Sequence, residues 1–157
     1  MENKASAKKM TRHMKRTALL KLLFIREFFP EADMMSAQMG LFYEYCGAAI
    51  DEDTDMLFPA TEEDRAYIEN KYQEILPKLP EIDVFIGQIS ESWKPERMNR
   101  VDLNILRLAL YEMIFDDDIP TGVAINEAVE LAKLYGGAES GSFINGLLGK
   151  AAKLKGL

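Results

Sequence analysis

Asn99-Arg100-Val101-Asp102-Leu103-Asn104-Ile105-Leu106-Arg107-Leu108-Ala109-Leu110-Tyr111-Glu112-Met113-Ile114 is the stretch that decides the fold class. Leu103, Leu106, Leu110, Met113 and Ile114 recur at intervals of three and four, which lines one face of a helix and fits no strand. Asn99 supplies a side-chain acceptor for the first turn, and Asp102 follows three residues later, where a carboxylate meets the positive helix end. Alternating β-branched runs are missing from the rest of the chain, so the expected class is all-α, a compact bundle of about seven helices.

Downstream, Asp116 to Asp118, Ile119 and Pro120 read as a connection. Gly122 to Tyr135 reads as a helix stopped by Gly136-Gly137. Ser140 is positioned to cap a last helix carrying Phe143, Ile144, Leu147, Leu148 and Ala151. Upstream, Glu81 to Trp93 forms a helix burying Ile82, Phe85, Ile86 and Ile89. Pro77 and Pro80 force a joint before it, which divides the chain into subdomains at 11–77 and 78–157. Thr61 and Asp64 form a capping box for a helix whose inward side is Ala66, Tyr67, Ile68, Tyr72, Ile75 and Leu76. The acidic run Asp51 to Asp55 is a loop. Met34 to Ala49 is a helix with Met35, Met39, Phe42, Tyr43 and Cys46. The first helix runs from Arg12 to Phe29, where Pro30 ends it, and residues 1–10 form a flexible basic tail.

Among 157 residues there is one cysteine, Cys46, and one histidine, His13. That excludes an intrachain disulfide framework and the usual zinc sites, and it points to a reducing, intracellular, cytoplasmic setting. No apolar run approaches the 18 or so residues that cross a bilayer, so no membrane partner is expected. The net charge of -7 conceals a polarity: residues 1–21 carry +6 and the remainder -13, and eleven acidic residues lie between Glu27 and Asp64 with no Lys or Arg among them. A polyanion would meet a local basic patch beside a repelling flank.

Groups for catalysis are hard to assemble. Cys46 lacks a neighbouring base or cation and reads as a passive core thiol. His13 has no metal-ligand partners, so it reads as a surface or polyanion-facing residue. Glu127 and Glu130 are three apart on one helix and Glu112 lies in the preceding one, so paired carboxylates could be drawn, but such spacing is ordinary on amphipathic helices. Gly136-Gly137 lacks the strand context of a phosphate loop. No enzyme activity, cofactor or metal is expected. Arg12, Lys15 and Arg16 share one helical face, and guanidinium forks suit phosphate oxygens. They could serve nucleic acid or merely form a solvated basic face.

Trp93-Lys94-Pro95-Glu96-Arg97, Ile105-Leu106-Arg107-Leu108-Ala109-Leu110-Tyr111-Glu112, Val123-Ala124-Ile125-Asn126-Glu127-Ala128-Val129-Glu130-Leu131-Ala132-Lys133-Leu134-Tyr135-Gly136 and Phe143-Ile144-Asn145-Gly146-Leu147-Leu148 stand in this order. Together they resemble the signature of the NusB family of transcription antitermination factors. The resemblance implies seven helices in two subdomains, no catalysis, binding of boxA-type single-stranded RNA, pairing with the small-subunit ribosomal protein NusE, and assembly with other Nus factors on RNA polymerase in support of ribosomal RNA synthesis. It places the RNA contacts at Arg12, His13 and Arg16, with Lys15 beside them, and at Glu139, Ser140, Gly141 and Ser142. Phe24 takes an aromatic position near the end of the first segment. His13 stands where the family usually has arginine and Ser142 where it usually has lysine, which lowers the expected affinity for phosphate, although Lys8, Lys9 and Lys15 could compensate. Glu81, Phe85, Tyr111 and Glu112 are the expected protein-binding face. Asn126 and Asn145 are expected to satisfy hydrogen bonds inside the fold, Trp93 to anchor the edge of the core, and Arg107 with Glu112 to form either an internal network or part of a protein face. The alternative function is a purely protein-binding helical scaffold.

Overall fold

A computed structural model describes residues 10–48 and 61–157. The expected tail through residue 9, with Lys8 and Lys9, and the acidic loop Asp51 to Asp55 lie outside them, as does the side chain of Cys46. The described chain is helical: α1 (Arg12–Arg26), α2 (Ala32–Ala48), α3 (Glu62–Ile75), α4 (Leu79–Ile89), α5 (Arg100–Phe115), α6 (Thr121–Tyr135) and α7 (Ser140–Lys155), with single 3-10 turns at Leu76–Lys78 and Pro95–Arg97. Two compact units divide between Gln73 and Glu74.

In the first unit, Thr11 caps α1 by accepting the Met14 N–H at 3.1 Å, and the helix buries Ala18, Leu19, Leu20, Leu22 and Leu23. It closes at Arg26, three residues before the expected end. Phe28 and Phe29 bond back to the carbonyls of Ile25 and Arg26 in the tighter three-residue pattern, because Pro30 disfavours helical backbone at the residue before it. Met10, expected in the tail, is 5% exposed, and its N–H donates to Asp64 Oδ2 at 3.0 Å. Thr61 caps α3 through the Asp64 N–H at 3.1 Å. Of the expected inward residues of α3, Ile68, Tyr72 and Ile75 are buried, whereas Ala66 and Tyr67 face out and Leu76 is half-buried. Burial pushes the Tyr72 phenol up, the charge of Arg26 working against it.

Pro77 and Pro80 stand at the expected joint, where α3 gives way through the 3-10 turn to α4. Pro77 opens the 3-10 turn and Pro80 sits in the first turn of α4, positions where the missing N–H costs nothing. The helix α4 accordingly starts earlier than expected and ends at Ile89 rather than Trp93. Trp93 is 53% exposed and so anchors no core edge.

The second unit is organised around α5. Asn99 Oδ1 accepts the Val101 N–H at 2.8 Å and the Asp102 N–H at 3.5 Å. Every residue from Asp102 to Met113 is buried, so the helix has no outer side, and α4, α6 and α7 pack around it. Each fully buried leucine or isoleucine there contributes about 1.5–3 kcal/mol relative to exposure. Arg107 belongs to an internal network: its Nε and Nη2 donate to both carboxylate oxygens of Asp83 at 2.8 Å, and Nη1 donates to Asn104 Oδ1 at 3.1 Å. This satisfies the buried guanidinium. Asn126 and Asn145 are exposed instead of satisfying bonds within the packed interior.

Candidate nucleic-acid interface

The residues expected to meet RNA fall in both units. In the first, they open α1, a helix with no acidic residue in its own first turn, where the Asp64 carboxylate of α3 already meets the Met10 N–H. Of the four named side chains, Arg12 is exposed, His13 and Lys15 are half-buried, and Arg16 is 8% exposed. The expected shared face is therefore split by burial. The side chain of Arg16 is buried, and Lys15 is held against α3, its Nζ 3.5 Å from Asp64 Oδ1 and 4.6 Å from the centre of the Tyr67 ring. Burial of Asp64 works to raise its pKa. Hydrogen bonds from Met10 and Thr61 and the charge of Lys15 outweigh that, so the carboxyl is held below the ordinary value.

Tyr67, expected to face inward, is instead an exposed ring beside this patch. It is 43% exposed, and Lys71 also approaches its ring, at 5.5 Å. An exposed aromatic ring between two lysines can stack a base while ammonium groups hold the adjoining phosphates. The signal was present: Tyr67 and Lys71 are four apart and lie off the stripe formed by Ile68, Tyr72 and Ile75.

In the second unit, the turn from Gly136 to Glu139 leads into α7. Ser140 does not cap that helix as expected. It is buried at 6% exposure, and its Oγ accepts the Gly137 N–H at 2.9 Å, closing the turn instead. Gly136 is required by close approach, since a Cβ there would stand 2.6 Å from Ser140 Oγ and 2.7 Å from the Ala132 carbonyl oxygen. Glu139 and Ser142 are exposed. A cleft of about 380 Å³ opens beside them, lined by Val129, Lys133, Gly137, Ala138, Gly141, Ser142 and Asn145. No carboxylate lines it, so Lys133 gives it a positive character, tempered by Glu130 at 3.4 Å. Ser140 shapes this cleft and Ser142 faces it.

The expected protein-binding face needs correction. Glu81 is exposed, but Phe85, Tyr111 and Glu112 are 9%, 6% and 4% exposed. The Tyr111 hydroxyl donates to Glu74 Oε2 at 3.2 Å and its ring lies on Phe115. Tyr111 and Glu112 are thus committed to the interior and cannot form an outer surface. What remains is a small cleft of about 120 Å³ lined by Glu81, Ile82, Phe85, Ile114, Phe115 and Lys155. Lys155 covers the Phe85 ring at 4.9 Å and Lys78 the Phe115 ring at 4.8 Å. The cleft lining itself carries one charge of each sign, Glu81 and Lys155.

Among the described residues, no three His, Cys, Asp or Glu side chains are grouped to hold a metal ion. No described helix is long and apolar enough to cross a membrane.

A model of the NusB family matches residues 13–153. The transcription antitermination protein NusB of Agathobacter rectalis is 46% identical over 143 residues, covering 91% of this chain and all of that protein. A solved structure of T. maritima NusB superposes with a TM-score of 0.72 at 34% identity, covering 93% of each chain. A structure of antitermination factors NusB and NusE in complex with dsRNA shares the fold, with a TM-score of 0.69 at 21% identity, over 92% of this chain and 99% of that one.

Proposed function

The chain belongs to the NusB family, and from that premise we propose that it is a non-catalytic RNA-binding adaptor in transcription antitermination. It binds boxA-type single-stranded RNA together with the ribosomal protein NusE, and the pair joins other Nus factors on RNA polymerase. The observation that carries this reading is the match to a named antitermination protein along that protein's whole length. The solved assembly of the same fold contains NusE and double-stranded RNA; the preference for single strands comes from the family resemblance.

In this reading the RNA residues have unequal roles. Arg12 reaches phosphate directly. Lys15 and Tyr67 act as one unit, the ring offering a stacking face while Asp64 restrains the ammonium. Arg16 and Ser140 position their elements, and Ser142 with Lys133 lines the second contact. NusE takes the cleft of Glu81, Phe85 and Phe115.

Fluorescence anisotropy with boxA-containing and scrambled RNA, with and without NusE and across a salt series, tests the reading. The expected result is selective binding strengthened by NusE, with a logarithmic salt slope of about -3 for roughly four phosphate contacts. Arg12→Glu should weaken binding without loss of helicity. Equal weak binding to both RNAs by a folded protein that still binds NusE would instead establish the protein-binding scaffold, a reading favoured by the engagement of Lys15 with Asp64 and the burial of Arg16.

A further inference from the structure

The outer side of α2 carries an apolar stripe. Met34, Ala37 and Leu41 share one helical face by their spacing, and all three are exposed, Met34 at 50% and Leu41 at 45%. Phe28, at 63%, stands in the turn that leads into the helix. The other side is already packed, with Met35 at 4% and Tyr43 at 9%. Single exposed apolar residues are ordinary. A helix that is apolar on opposite sides is a different case, because such helices are normally covered on both.

Charge selects the occupant. From Ala32 to Ala48 the helix has no lysine or arginine, and its first turn holds Asp33 beside exposed Glu31. No basic residue occupies its last turn, so the partial negative charge at that end is uncompensated by the helix itself. Arg65 lies over the Tyr43 ring at 4.4 Å, on the packed side. A second copy of the chain docking here would bring like-charged flanks together, whereas a basic partner would gain at both ends. Methionine adapts its shape to varied apolar side chains, and leucine seven residues on sets the pitch of a helical groove partner.

We propose that the outer face of α2 docks a basic amphipathic helix of a partner protein. This does not rest on the RNA-binding reading, since it uses neither α1 nor the α7 cleft.

The full-length protein with isotope-labelled methionine and leucine methyls would be titrated with a short helical peptide carrying a leucine stripe in a lysine background. One control replaces lysine by glutamate; another scrambles the same residues so that no stripe forms. The expected result is saturable shifts at Met34 and Leu41 with the basic striped peptide alone, and binding about tenfold weaker or worse in the Met34→Asp, Leu41→Asp double variant with helicity unchanged. Val123→Asp, an exposed apolar position on α6, should leave binding intact. Equal shifts with the scrambled peptide, shifts centred away from α2, or concentration-dependent dimerisation through Met34 without peptide would each overturn the proposal.

Discussion

Two helices of nearly equal length, α5 and α2, are both rich in apolar residues and end up in opposite circumstances. α5 is enclosed by α4, α6 and α7 and buries twelve consecutive residues from Asp102 to Met113. α2 packs against α1 on one side and leaves Met34, Ala37 and Leu41 outside. Apolar composition therefore states what a helix could bury, while the number of neighbours decides what it does bury. The units differ in the same sense: the second is tied by an apolar hub, the first in part by a polar knot at Asp64.

The largest effect that sharpens this contrast should come from Leu106, which is 0% exposed. Leu106→Ala should cost about 3–4 kcal/mol by lost burial and a cavity, read from urea unfolding. Leu41→Ala on α2 should change stability by less than about 0.5 kcal/mol. Similar costs at both sites would break the comparison. Gly136→Ala comes next, at about 3 kcal/mol, because one of the atoms its Cβ would strike is a backbone oxygen with little room to move. Thermal unfolding would measure that loss, and weaker RNA binding by the folded fraction would show that the turn shapes the α7 cleft.

A smaller effect belongs to the knot of the first unit. The carboxyl of Asp64 is held below 3.8, so its stabilisation is complete above that value and lost as pH falls through the lower folded value. Asp64→Asn should cost about 2 kcal/mol at neutral pH and flatten the acid limb of the stability curve below pH 4. A variant with the wild-type acid limb would remove Asp64 from the account.

Much of the fold was legible because helix signals are local. Caps at Thr61 and Asn99 and the stop at Gly136 depend on residues within a turn of one another. The start of α4 was misplaced because proline is forbidden inside a helix but welcome in its first turn, and the rule does not say which applies. The candidate site was less legible. A sequence shows that Arg12 and Arg16 share a face, but not that this face is buried at Arg16 or that Asp64, nearly fifty residues away, claims Lys15. Tyr111 and Glu112 were misread for the complementary reason, since polar atoms at the end of an apolar helix look exposed until the residue that pairs with them, Glu74 for Tyr111, is known.

The enclosure of α5 also fixes a time scale. The backbone amides from Leu103 to Leu110 are hydrogen-bonded within a helix that has no solvent-facing side, so no partial fraying reaches them. Their exchange with solvent deuterium must wait for the surrounding helices to open together, and this one helix keeps the slowest clock of its unit.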